Sequence, residues 1–339
     1  MIEPGRCTVV AEAGVNHNGD EELARRLVDA AATAGADVVK FQLFRAEEVA
    51  SAGAPKAGYQ LRTTGEAESQ VEMLRALELP PDAFLRLLEH ARERGLGFLC
   101  TAYAADELDL LDEAGVEAFK FASAQIVELP LLAHAARKGK LLIVSTGMAT
   151  LGEIGEALAT IRAEGDAPVV LLQCTTSYPS PVELANLRAM ETLQQQFGVP
   201  VGYSDHTEGD ASAVAAAALG AVMLEKHLTL DRSLPGPDHA ASLDPRAFAA
   251  MVDRVRDAEA ALGSPAKEPA PVELENAAVM RRSLHAAVDI PAGTVIREEH
   301  VAMKRPNDGL PPRLLPEVIG SVAREDIPAD VPLTRDLLA

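Results

Sequence analysis

Polar and ionisable residues recur in this sequence at the ends of apolar runs, often two positions apart. Lys40 and Gln42 close VVKFQL, Ser204 and His206 close VGYSDH, and Glu225 and His227 close VMLEKH. Side chains of an extended strand alternate faces, so each pair shares one face and its apolar neighbours take the other. Two imidazoles at equivalent heights on neighbouring strands, with Glu225 nearby as a further donor, suit a divalent transition metal with open positions for substrate. Lys40 and Lys120 are the candidate anion binders. No carboxylate neighbours them along their strands, and an ammonium inside a barrel is costly unless it meets a ligand. With the hydroxyls of Ser123, Ser145 and Ser204 they would form a phosphate or carboxylate cradle. A Schiff-base lysine is the rival chemistry. Lys226 has the opposite parity to His227, which assigns it to packing or an ion pair on the helix side. His90, His134, His285 and His300 read as structural hydrogen bonders, while His17 and His239 lie in loops at the expected mouth.

These residues need elements that bring them to one place. Up to about residue 263 the chain repeats short β-rich runs: TVVAEAGV (8–15), DVVKFQLF (37–44), GFLCTAY (97–103), AFKFAS (118–123), LLIVSTG (141–147), VVLLQCTT (169–176), VGYSDHT (201–207) and VMLEKHL (222–228). Between them lie segments such as EELARRLVDAAATAG and LGEIGEALATIRAEG, with apolar spacings of three and four and a closing glycine, as helices end. Eight such units favour a (β/α)8 barrel over an open doubly wound sheet, although counting units leaves the open sheet possible. In a barrel of this kind the active site lies at the C-terminal strand ends. Those ends carry Glu12, Lys40, Gln42, Thr101, Lys120, Ser123, Ser145, Thr146, Gln173, Thr175, Ser204, His206, Glu225 and His227. The long connection containing SAGAPKAG, after the second run, is the length of a lid or ligand loop.

The organisation expected is a barrel over 1–263, a Pro-rich linker over 264–279, and a small β-rich domain over 280–339. The last segment holds a weak internal repeat, VDIPAGTVIREEHVA against REDIPADVPLTRDLLA. Lys and Arg total 31 against 51 acidic residues, a net charge of −20. That balance argues against nucleic acid and anionic membranes as partners, so any anionic ligand needs cations local to a pocket. The three cysteines, Cys7, Cys100 and Cys174, fit no zinc spacing and read as reduced thiols of a cytoplasmic protein. No dinucleotide fingerprint, phosphate-binding GxxxxGK[ST] loop or GxSxG elbow is present.

Taken in order, AEAGVNHNG, VKFQLF, KFAS, STGMAT, CTTSYPSP, GYSDHT, EKH and GPDH resemble the N-acetylneuraminate (sialic acid) synthase family, which includes legionaminic, pseudaminic and spore-coat sugar synthases. RRSLHAAVDIPAG and KRP resemble that family's antifreeze-like SAF domain, a β-clip. The resemblance covers essentially the whole chain. It implies a TIM barrel with a small SAF domain, and condensation of phosphoenolpyruvate with an N-acyl-mannosamine-type aldehyde to a nine-carbon 2-keto acid and phosphate. It also implies a divalent metal, manganese with magnesium or cobalt as alternatives, and a homodimer in which one SAF domain covers the partner's barrel mouth. Carried over by position, His206 and His227 would hold the metal with Glu225 close by. Lys40, Lys120, Ser123, Ser145, Thr176 and Ser204 would hold phosphoenolpyruvate. Glu12, Gln42, Gln125, Tyr178 and Asp238 would face the sugar, joined by Arg305 of the second copy. Glu12, Lys40, Lys120, His206 and His227 would carry catalysis. Three positions depart from the family pattern: Gln125 stands where many relatives have Glu, Gln173 where His is common, and RPNDGL (305–310) replaces RPGxG. All three are expected to bear on the acceptor sugar.

Overall fold

In the computed structural model, which describes residues 2, 5–65 and 67–339, the apolar runs form eight parallel strands. They are β1 (Thr8–Gly14), β2 (Val38–Leu43), β3 (Gly97–Ala102), β4 (Ala118–Phe121), β5 (Leu141–Ser145), β6 (Val169–Cys174), β7 (Val201–Asp205) and β8 (Met223–His227). Each pairs with the next and β8 pairs with β1, closing a barrel. A helix follows every strand: α1 (Glu21–Thr33), α2 (Pro81–Glu93), α3 (Ala105–Glu113), α4 (Leu129–Ala136), α5 (Leu151–Glu164), α6 (Ala189–Phe197), α7 (Ala211–Ala218) and α8 (Pro245–Leu262). The fold is a (β/α)8 TIM barrel.

Period-two alternation explains how the barrel is filled. Val10, Val38, Leu99, Ala118, Ile143, Val170, Leu172 and Met223 point inward and form a buried apolar plug at the N-terminal end. Two residues further along the same faces come Glu12, Lys40, Thr101, Lys120, Ser145, Cys174 and Glu225, all buried. The opposite parity, with Val9, Phe41, Phe98, Phe119, Leu142, Leu171, Tyr203 and Leu224, packs against the helices in one large core. Each fully buried Leu or Phe there is worth roughly 1.5–3 kcal/mol. Helix starts are fixed locally: the Asp20 carboxylate accepts from Glu22 N and Leu23 N at α1, and Thr150 with Glu153 forms a reciprocal cap at α5.

The long β2–α2 connection carries three short helices, Ala46–Val49, Gly58–Thr64 and Gln70–Arg75. Lys56 clips it together, its buried ammonium donating to Thr64 Oγ1, Gly65 O and Glu68 Oε1 at 3.0–3.1 Å.

The chain divides into two compact units, Met1–Gly263 and Ser264–Ala339. The second begins with helix α9 (Pro271–Met280) and contains the antiparallel pair β9 (Ser283–Ala286) and β10 (Val301–Lys304). A single bridge from Ile290 to Ile327 ties the two halves of the sequence repeat to each other, and another joins Val295 to Val322 just before the second half. Leu284, Ala286, Ile290, Ile296, Val318, Ala323, Ile327 and Leu333 form its core.

Candidate active site

A cavity opens at the C-terminal strand ends, lined by Glu12, Lys40, Gln42, Thr101, Lys120, Ser123, Ser145, Thr176, Tyr178, Ser204, His206, Glu225, His227 and Asp238 among others. Register brings its charged residues together: Glu12 lies opposite both Lys40 and His227, and Ser204 lies opposite Glu225. Lys40 is not without a carboxylate, as its own strand suggested. Its Nζ sits 3.2 Å from Glu12 Oε1 and 3.2 Å from Glu225 Oε1. Burial opposes the ammonium form, yet the two carboxylates outweigh it and hold Lys40 above its ordinary value. Burial pushes Glu12 up to about 7 against the pull of Lys40. Glu225 joins this network through Oε1, which accepts from Ser204 Oγ at 3.1 Å, while its Oε2 has no hydrogen-bond partner.

Lys120 has a different setting. It donates to Ser145 Oγ at 2.7 Å and Phe121 O at 3.0 Å, with Glu225 Oε2 further off at 3.8 Å. Burial brings it down to about 8. Beside it the ends of β4, β5 and β6 leave a small polar hollow. Gly147 N donates to Ser123 Oγ at 3.0 Å, and a Cβ on Gly147 would lie 2.4 Å from Thr176 Oγ1 and 2.7 Å from Ser123 Oγ. Glycine is therefore needed for the three chain segments to converge. The Ser123 and Thr176 hydroxyls and the Lys120 ammonium here make a cradle suited to an anion.

His206 and His227 face each other with ring centroids 5.4 Å apart. His206 Nδ1 contacts Thr175 O at 2.8 Å, which fixes the proton there and leaves Nε2, 3.4 Å from Ser204 Oγ, with its lone pair toward the cavity. Burial favours a neutral ring, while the Cys174 sulfur and Thr175 carbonyl pull the other way and leave His206 raised. Burial keeps His227 well below its usual value; its Nδ1 has no hydrogen-bond partner and lies 3.8 Å from Asp238 Oδ2. A neutral, unpartnered imidazole facing a second one fits a divalent ion. Among the described residues no group of three His, Cys, Asp or Glu side chains could hold a metal by itself, so other ligands would come from water or substrate. Asp238 is buried and raised to about 6 by that burial.

Two expected site residues lie elsewhere. Gln125 is fully buried outside the cavity lining, accepting from Ala122 N and donating to Ala102 O. Its amide is used up by the backbone, so it does not face a sugar. Gln173 points to the outer side of β6 and donates to Ala185 O at 3.1 Å. Arg305, in the second unit, is exposed and precedes a cis peptide to Pro306. His17 and His239 are buried: His239 bridges Thr229 Oγ1 and Asn18 Oδ1, His17 Nδ1 accepts from Gly19 N, and burial lowers both to about 4. Lys226 does pair on the helix side, with Asp205.

Two tyrosines went unnoticed in the sequence. Tyr59, in the long β2–α2 connection, packs tilted against Tyr178 with ring centroids 4.8 Å apart, and the Tyr178 ring centroid lies 4.1 Å from that of His206. Tyr103 lines the cavity at the end of β3; it shares the parity of Thr101, a signal that could have found it.

Comparison with known proteins agrees with this construction. Residues 27–267 match the model of the NeuB family, and residues 281–339 match that of the SAF domain. The chain is 43% identical to an N,N'-diacetyllegionaminic acid synthase of Campylobacter jejuni, over 95% of this chain and 97% of that one. It is 34% identical to a pseudaminic acid synthase of Helicobacter pylori, over 99% and 98%. The crystal structure of an N-acetylneuraminic acid synthetase from Leptospira borgpetersenii, in complex with citrate, superposes with a TM-score of 0.72 at 35% identity, covering 81% of this chain and 92% of that one. The chain belongs to the NeuB family of nonulosonate synthases and carries a C-terminal SAF domain.

Proposed function

We propose that this enzyme condenses phosphoenolpyruvate with an N-acyl aminosugar aldehyde to give a nonulosonic acid and phosphate. The observation that carries the reading is one cavity in which an anion cradle adjoins a facing histidine pair and a free carboxylate oxygen. Lys120, the hydroxyls of Ser123, Ser145 and Thr176, and the Gly147 region would hold the phosphate and carboxylate of phosphoenolpyruvate, with Lys40 and Ser204 alongside. C3 of phosphoenolpyruvate attacks the aldehyde carbon, and positive charge develops at C2. Water adds there, and the phosphate leaves the tetrahedral centre with the bridging oxygen. Glu12 has an unpartnered Oε2 and an affinity for protons near neutrality, so it can hold that water and take its proton. A divalent ion, manganese or else magnesium or cobalt, on His206 and His227 would supply Lewis-acid polarisation of the aldehyde oxygen. Tyr178 and Asp238 would face the sugar, with Arg305 from the SAF domain of a second copy in a homodimer.

N-acetylmannosamine is one acceptor; a 6-deoxy-diacetamido sugar is the other, and the cavity wall favours it. Val15, Phe44 and Leu77 form an apolar cluster with Leu74 and Tyr103 at the mouth. Lys40 and Lys120 are the lysines and arginines among the described lining residues, both low in the barrel, so the barrel itself offers a phosphorylated sugar tail no lysine or arginine at the mouth. The relatives called N,N'-diacetyllegionaminic acid synthases point the same way. The test is manganese-dependent phosphate release from phosphoenolpyruvate with N-acetylmannosamine, its 6-phosphate and a 2,4-diacetamido-6-deoxy hexose. Turnover is expected to be fastest with the last, and oxygen-18 in the bridging position should leave with phosphate. No turnover with any sugar, or label retained in the sugar acid, would refute the reading.

A further inference from the structure

We infer that Tyr103 is a positioning residue that acts on Glu12 through Gln42. The Tyr103 hydroxyl donates to Gln42 Oε1 at 3.4 Å, and Gln42 Nε2 donates to Glu12 Oε1 at 2.9 Å. With the phenol as donor, the amide has one orientation that serves both neighbours: oxygen to the tyrosine, nitrogen to the carboxylate. Glu12 Oε1 is thereby engaged by Gln42 and Lys40, while Oε2 has no partner in a residue that lines the cavity.

The 3.4 Å contact is long for a hydrogen bond, yet the fold holds its donor from two sides. The Tyr103 ring meets Phe44 edge-on at 5.9 Å, and its backbone N donates to Glu107 Oε2 at 2.7 Å. The same carboxylate accepts from Ala104 N at 3.0 Å and is buried at the start of α3. At the far end the space is equally tight. The β1 register shifts between Glu12 and Gly14, and a Cβ on Gly14, whose φ is +52°, would meet Glu12 Oε1 at 3.0 Å and Gln42 Nε2 at 3.4 Å. The pair is therefore seated under bare backbone at one end and oriented by a fixed phenol at the other.

This inference rests on the proposed role of Glu12, which holds the water that adds at C2 and takes its proton. Y103F, Q42M and the double variant, assayed with manganese, separate it from a packing role. Y103F should lower kcat about tenfold, the size of one lost hydrogen bond, with KM for phosphoenolpyruvate and for the aminosugar within twofold of wild type. Q42M should lose more, and Y103F/Q42M no more than Q42M, because the phenol acts through the amide. Losses that multiply, an unchanged Y103F, or a loss carried by KM with kcat unchanged would overturn it. If wild type turns over no aminosugar, the functional reading fails by itself. A crystal structure of Y103F then still decides the relay: a turned Gln42 amide and displaced Glu12 carboxylate support it, and unmoved side chains refute it.

Discussion

Lys226 lies behind the histidines, and replacing it with Met tests what aligns the last two strands. Its ammonium and the Asp205 carboxylate are fully buried and directly opposed between β7 and β8. Nζ is 2.8 Å from Asp205 Oδ2 and 2.5 Å from Thr207 O. The other carboxylate oxygen accepts from Thr207 N and Oγ1 at 2.8 Å and from the Tyr203 hydroxyl at 3.3 Å. Lys226→Met preserves chain length but leaves Asp205 Oδ2 and Thr207 O buried with no donor. Breaking a buried pair from one side costs about 3–5 kcal/mol. For a barrel of this size each kcal/mol moves Tm by about 2–4 °C, so the fall should be roughly 6–20 °C.

Asp205→Asn keeps an acceptor for Thr207 but turns an amide toward the ammonium, and is also expected to destabilise. In Lys226→Met/Asp205→Asn both charges are gone and the asparagine NH2 is free to serve Thr207 O. The double variant should therefore be at least about 1.5 kcal/mol more stable than the summed single losses require. Urea unfolding of the three variants at one pH reads this directly. Additivity within about 0.5 kcal/mol, or a Lys226→Met cost under about 1 kcal/mol, would refute a paired buried charge as the strand clamp.

Gly147→Ala should weaken inorganic phosphate and raise KM for phosphoenolpyruvate about tenfold or more, since one hydrogen bond to a charged group is worth that; calorimetry showing unchanged phosphate binding would contradict the cradle. Gln125→Met strands Ala122 N and Ala102 O, so it should cost about 2–3 kcal/mol and leave KM for the aminosugar unchanged, whereas a sugar ligand would show the reverse. Glu107 is raised from 4.5 to about 7, burial outweighing its two backbone bonds. A raised carboxyl stabilises fully below 4.5 and loses that contribution as pH rises through about 7. Glu107→Gln, which keeps the acceptor, should flatten the fall in unfolding midpoint across that window; parallel curves for the two proteins would exclude the effect.

The barrel and most of its mouth were legible because strand parity is a local property. Lys40 with Gln42, Ser204 with His206 and Glu225 with His227 each share a face whatever the rest of the chain does. What lay across strands was not legible. Glu12 meets Lys40 through a register 28 positions apart, so a count of neighbours along β2 missed both carboxylates that surround its ammonium. Gln125 misled for the opposite reason: its position after Ser123 looked like a site, but the tight turn after β4 turns its amide onto Ala122 and Ala102. Tyr59 lies in a long connection with no periodic signal, and only tertiary packing brings it onto Tyr178.

The cross-strand pairing also alters what the lysines can be asked to do. Lys40 and Lys120 face Glu12 and Glu225 inside one buried layer, so two cations are formally balanced by two carboxylates before any ligand arrives. A doubly or triply charged phosphorylated acid entering that layer would bring uncompensated charge into a place where unpaired ions are costly. One feature would offset it. The facing His206 and His227, one of them with an unpartnered nitrogen, offer a seat for a divalent cation beside the cradle. On the proposed reading the metal is then as much a counter-ion for phosphoenolpyruvate as an activator of the aldehyde.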